Sequence, residues 1–205
     1  MPSRALYAAP LLAVLAAAAP AEDAVHLLPG FGAPPTPQHA GFLDASAAEP
    51  GTRLFYWFAQ CEEADWKACP TVLWLNGGPG SSSILGMLQE QGPILIDSGG
   101  GLIENPFAWT RVANFLVLES PAGVGFSYCK ESAEGLPCAP TDDSTAAAAH
   151  AALRDFFGAK FPELAEAPFF IAGESCARGS GLEPGWRLPS TAYACVCRPH
   201  ALAVA

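Results

Sequence analysis

Basic residues are scarce. Ten Lys and Arg stand against twenty Asp and Glu, for a net charge of −10. No basic face of the kind nucleic acid requires can be assembled, which excludes nucleic-acid binding as a function class. Beyond residue 19 there is no apolar run long enough to span a bilayer, so no membrane association is expected once a leader is removed. The Cys residues include no Cys-x-x-Cys pair and have no His cluster beside them, so a metal site is not expected and no cofactor is implied. The Gly-rich stretch 77–80 is not followed by Gly-Lys-Ser/Thr, which rules out a phosphate-binding P-loop. Residues 178–205 contain no Asp, one carboxylate (Glu183) and one His (His200).

What is present describes a secreted globular chain. Its 205 residues suffice for one domain with a core, at 51% hydrophobic and 15% charged. Much of the apolar fraction is Ala, which predicts a thin core. Arg4 begins a positive start, residues 6–19 are apolar, and Ala19-Pro20-Ala21 presents small residues before the acidic Glu22-Asp23. This is the pattern of a secretory signal peptide over residues 1–21. Seven Cys fit an oxidising compartment. Cys61 and Cys69 bracket one short loop and Cys129 and Cys138 another, so each pair can close a local disulfide, although spacing alone does not settle connectivity. Cys195-Val196-Cys197 is too tight for an easy intrastrand bridge.

Along the chain, residues 24–36 read as a Pro- and Gly-rich arm. Residues 38–45 and 53–60 read as two strands joined by the turn Glu49-Pro50-Gly51, the second buried on both faces. Residues 71–76 (TVLWLN) form a strand that runs into Gly77-Gly78-Pro79-Gly80, with Ser81 or Ser82 capping a helix over 84–88. A strand, a Gly-rich turn and a capped helix direct backbone N–H groups at an oxyanion. Residues 114–119 (NFLVLE) form another buried strand, with the Gly-rich loop 120–128 at its carboxyl end. Residues 141–160 form a long helix, capped by Asp142 or Asp143. The strand–turn–helix alternation predicts an α/β protein with a largely parallel sheet.

Residues 169–177 (FFIAGESCA) combine a short apolar strand with Gly173-Glu174-Ser175-Cys176-Ala177. A Gly-x-Ser-x-small turn after a buried strand is how an α/β-hydrolase presents its nucleophile, although Gly and Ser also mark ordinary turns. With the words WLNGGPGSSS (74–83), EQGP (90–93), NPFAW (105–109) and ESPAGVGFSY (119–128), in this order and spacing, the chain resembles the serine carboxypeptidases, the carboxypeptidase Y and cathepsin A family, from about residue 39 to residue 177. The resemblance implies an α/β-hydrolase fold and a secretory-pathway destination, extracellular or in a vacuole or lysosome. It also implies release of C-terminal amino acids from peptide or protein substrates at acidic pH. Carried over by position, Ser175 is the nucleophile, and the backbone N–H groups of Gly78 and Cys176 form the oxyanion hole. Asn76 and Glu174 hold the substrate's terminal carboxylate, with Trp74, Gly77 and Glu90 in support.

The chain also departs from the family. Ser81 stands where a Cys is usual, so the disulfide from that position should be absent. Cys176 replaces the usual Tyr after the nucleophile. From Arg178 onward the family character is lost. Residues 22–177 are therefore expected to be the N-terminal part of an α/β-hydrolase domain, truncated after the nucleophile elbow. Residues 178–205 are expected to be an unrelated tail, disordered or the product of a truncated or mis-spliced gene model. Glu183 and His200 follow the Ser in the order a triad needs, but too closely to build the strands that would carry them. His26, His39 and His150 precede it and read as surface or structural. The expected activity is that of a serine carboxypeptidase, idle in this chain. The alternatives are a non-catalytic remnant that binds peptide C-termini and a related acyltransferase.

Overall fold

The structure is a computed structural model that describes residues 20–175 and the backbone of 191–193. The remainder of the leader, Cys176, Ala177, Glu183, His200 and most of the tail lie outside the described residues.

A seven-stranded sheet organises the chain. In chain order its strands are β1 (Ala24–Val25), β2 (Gln38–Asp44), β3 (Arg53–Ala59), β4 (Thr71–Leu75), β7 (Asn114–Leu118), β8 (Phe169–Gly173) and β9 (Thr191–Tyr193). A separate antiparallel hairpin, β5 (Ile94–Ile96) with β6 (Leu102–Glu104), sits between β4 and β7 in sequence. The spatial order of the sheet is β1-β2-β3-β7-β4-β8-β9.

The expectation of a largely parallel sheet is corrected: the sheet is mixed. β1, β2, β3 and β7 pair antiparallel, whereas β7, β4, β8 and β9 pair parallel. The cause is connection length. β2 reaches β3 through a short turn, where Thr52 N donates to Glu49 O at 3.1 Å, and a hairpin can only be antiparallel. Parallel pairing needs a crossover, which helix α1 (Asp142–Asp155) supplies between β7 and β8.

Both faces of the central strands are covered. Leu73, Leu75, Leu116 and Leu118 point to one side, while Trp74, Phe115 and Val117 point to the other. This explains why β7 is buried throughout and apolar from Phe115 to Leu118 rather than alternating. β3 is less enclosed than expected, its residues alternating between half-buried and buried along most of its length. Ala148, Ala149 and Ala152 of α1 are buried in the first cluster. Aromatic rings supply bulk there: Phe161 packs against Phe58 and against Phe156, each with centroids 4.7 Å apart.

The cap of α1 is Thr141, not Asp142 or Asp143, which occupy its first turn. Ser144 N donates to Thr141 Oγ1 at 3.2 Å, and Thr141 N donates to Ser144 Oγ at 2.9 Å, a reciprocal capping box. The helix continues past Asp155 as a π-helical turn, Phe156–Lys160. Near the start of the described chain, Asp23 Oδ2 accepts from Tyr56 Oη at 2.7 Å and pairs with Lys160 Nζ, both carboxylate and ammonium being largely buried. Disulfides join Cys61 to Cys69 and Cys129 to Cys138.

Candidate active site

The chain leaves β4 toward β7 on one side of it and later returns to β8 on its other side. The carboxyl ends of β4 and β8 therefore flank a topological switch point, the place where open α/β sheets leave a crevice. Beside it, at the carboxyl ends of β4 and β7, opens a cleft of about 490 Å³, lined by Asn76, Gly77, Pro79 and Gly80 after β4, Ser120 and Pro121 after β7, and Pro140, Thr141, Asp142 and Thr145 at the start of α1.

Asn76 and Glu174, the residues expected to hold a substrate carboxylate, come together at neighbouring strand ends. β4 and β8 are parallel partners, with Leu75 opposite Gly173. The next residue on each strand is polar. Asn76 Nδ2 donates to Glu174 Oε1 at 2.9 Å, and Glu174 N donates to Leu75 O at 3.3 Å. Trp74 Nε1 donates to Asn76 Oδ1 at 2.8 Å, so the amide is held at both ends. The Trp74 ring stands edge-on to Trp109, with centroids 5.7 Å apart. Gly86 passes so close to this indole that an added Cβ would overlap it. Gly86 opens the π-helical turn Gly86–Glu90, which replaces most of the helix expected over 84–88. Glu90 closes that turn on the surface, and its carbonyl accepts from Asn105 Nδ2 at 3.0 Å.

The turn expected to carry the oxyanion hole is built on glycine. Gly78 has φ +117°, and a Cβ there would lie 2.8 Å from Ser81 N. Gly77 is buried, and its carbonyl accepts from Ser81 N at 3.0 Å. Ser82 Oγ accepts from Ile84 N at 3.3 Å, the capping role expected of it.

Ser175 follows β8 and is exposed. It is the one non-glycine residue with positive φ (52°) among the described residues. A side chain in this left-handed region is strained, and here the strained residue directly follows the end of a buried strand. Cys176, the second predicted oxyanion donor, lies outside the described residues. His39 is buried in β2 against Phe161, with ring centroids 5.2 Å apart. His150 lies on α1, and its pKa is lowered by burial and then by Arg154.

Sequence reasoning missed Glu119. It is fully buried just past β7 and accepts from Ser82 Oγ at 2.6 Å and from Ser83 N at 3.2 Å. Its pKa is raised by burial, against the pull of these two hydrogen bonds. The available signal was a lone carboxylate directly after the apolar run Phe115–Leu118.

The serine carboxypeptidase family model matches residues 29–179. The chain is 42% identical over 184 residues to the lysosomal protective protein of Mus musculus, covering 86% of this chain and 37% of that protein. It is 41% identical over 167 residues to serine carboxypeptidase 1 of Hordeum vulgare, covering 78% of this chain and 32% of that protein. Among solved structures, Kex1(delta)p, a prohormone-processing carboxypeptidase from Saccharomyces cerevisiae, matches with a TM-score of 0.61 at 27% identity, over 69% of this chain and 32% of that chain. The chain spans about a third of the length of the curated relatives it matches.

Proposed function

Because the chain belongs to the serine carboxypeptidase family, we propose that Ser175 is the nucleophile of a secretory-pathway enzyme that releases C-terminal amino acids from peptides and proteins. One observation carries this reading. The left-handed Ser175 directly follows Glu174, whose carboxylate holds the Asn76 amide at the end of the neighbouring strand. Nucleophile and clamp thus share one edge of the sheet.

In this reaction Ser175 Oγ bonds to the carbonyl carbon of the last peptide bond while its proton passes to a general base. The oxyanion gathers on the N–H groups of Gly78 and Cys176, each contributing roughly 3 kcal/mol to the transition state. The C–N bond breaks as the leaving amine takes the proton, and water then frees the acyl group from Ser175. Asn76 and Glu174, supported by Trp74, Gly77 and Glu90, hold the terminal carboxylate of the substrate.

The fold places an Asp or Glu and then a His after the nucleophile. Within the 205 residues only Glu183 and His200 stand there. The 205-residue chain by itself is therefore expected to act roughly 10⁶-fold more slowly than an enzyme with its full triad. Two disulfides suit the oxidising compartment this reading requires. Among the described residues no helix is long and apolar enough to cross a membrane.

The test compares the 205-residue chain with the full product of its transcript. Each is assayed at acidic pH for release of the last amino acid from an N-blocked peptide. Hydrolysis by the transcript product that disappears in Ser175→Ala supports the proposal; no hydrolysis by either protein overturns it. Calorimetry on the short chain isolates the clamp: heat with a free-carboxylate peptide that vanishes on amidation marks a remnant that binds without turnover. Product analysis with an alcohol acceptor separates acyl transfer from hydrolysis.

A further inference from the structure

We propose that Glu119 is a positioning residue for the oxyanion-hole turn, fastening residues 76–83 to the end of β7; this rests on the reading of residues 77–80 as that hole.

The connection runs through named atoms. One Glu119 oxygen accepts from Ser82 Oγ and the other from Ser83 N. Ser83 Oγ in turn accepts from Asn76 N at 3.2 Å. The Gly77–Gly80 turn is therefore gripped at both of its ends by a single relay from one carboxylate. Ser82 and Ser83 hold its exit, and Asn76 holds its entrance.

Glu119 is itself anchored. Its N–H donates to Phe55 O at 2.9 Å, and its carbonyl accepts from Ser127 Oγ at 2.6 Å. Gly125 (φ +53°) makes room for the side chain, since a Cβ at that position would overlap the carboxylate. A fully buried carboxyl raised in pKa by its surroundings is a poor choice for stability alone. Here its two oxygens meet two donors on the loop whose geometry the oxyanion demands. An apolar residue of similar length fills the space and supplies no acceptor. Gln supplies one oxygen to Ser83 N, and its amide can donate to the Ser82 hydroxyl, which reverses its role.

The experiment uses the full chain and compares Glu119→Met, Glu119→Gln and Ser82→Ala with wild type. Amide hydrogen exchange is read at Asn76, Ser81 and Ser83, with Phe42 and Tyr56 in β2 and β3 as internal references. Glu119→Met is expected to speed exchange of the turn amides roughly tenfold or more relative to the references. Glu119→Gln is expected to restore protection, and Ser82→Ala to fall between. Uniform acceleration at turn and references alike, or none, overturns the proposal. In the transcript product, Glu119→Met is expected to lower kcat roughly 10²-fold at little-changed KM, with rescue by Gln. Equal kcat in wild type and Glu119→Met overturns the catalytic part. If wild type hydrolyses nothing, the carboxypeptidase reading fails, and the exchange data alone still decide whether Glu119 holds the turn.

Discussion

Asn76 Nδ2 donates to Glu174 Oε1 at 2.9 Å, joining two residues 98 positions apart at the ends of adjacent parallel strands. Trp74 Nε1 donates to the same Asn side chain, which is buried. Asn76→Leu strands both the indole N–H and the carboxylate. A loss of about 1–3 kcal/mol in urea unfolding is expected. The variant should also lose any preference for free-carboxylate over amidated peptides in calorimetry.

Gly86 lies against the face of this clamp. An alanine Cβ there would overlap the Trp74 indole at Cδ1 and Nε1. Gly86→Ala should push the ring aside and break its hydrogen bond to Asn76, at about 1–3 kcal/mol for overpacking. Tryptophan fluorescence should shift in the folded variant, and an unchanged spectrum at unchanged stability would contradict the packing described.

Two buried groups give opposing pH dependence. The Glu119 pKa is raised by burial, opposed by its bonds to Ser82 and Ser83. Above the ordinary value of 4.5 the folded protein holds a proton that the unfolded chain releases. Its stabilising share is complete below that value and lost as pH rises through the folded pKa. Glu119→Gln removes this decline, so its thermal midpoint should gain on wild type as pH rises from acid toward neutral.

His39 works in the other direction. Burial lowers its pKa, Asp23 partly restores it and His26 depresses it slightly. Below the ordinary value of 6.5 the unfolded chain binds a proton that the folded protein refuses, so stability falls as pH drops through the folded pKa. His39→Phe keeps the ring packing against Phe58 and Phe161. Its melting temperature should fall less than that of wild type on acidification, and parallel curves would refute the assignment.

The Cys129–Cys138 disulfide closes a loop of sequence separation 9 beside the 120–128 segment, where Gly123 approaches Cys138. Replacing both Cys with Ala should lower stability by about 2–3 kcal/mol on chain-entropy grounds. Urea unfolding of the double variant measures it.

The central strands and the turn at Ser175 were legible because their signals are local. β4, β7 and β8 are apolar runs, each ending in a polar or Gly-rich turn. Glu119 was not legible, since its burial is decided by Ser82 from one loop and the missing side chain of Gly125 from another. Asp142 and Asp143 are the stronger local capping signals, but the reciprocal Thr141–Ser144 pair puts the cap of α1 before both of them. Strand direction is a different matter: apolar runs announce strands but not direction, and only the short connection between β2 and β3 carries the antiparallel half of the sheet. The β5–β6 hairpin, three residues to a strand, is too short for periodicity to show.

The Asp23 contact with Lys160 spans 137 positions. A chain made from its amino end presents Asp23 long before its cationic partner exists, and Tyr56, arriving earlier, offers only a hydroxyl. The turn that leads into β1 must wait for the end of the long helix before its carboxylate meets a cation. Closure of the amino-terminal edge is thus a late event in biosynthesis, and a nascent chain stalled before residue 160 should leave residues 20–25 open to protease while β2 and β3 are already protected.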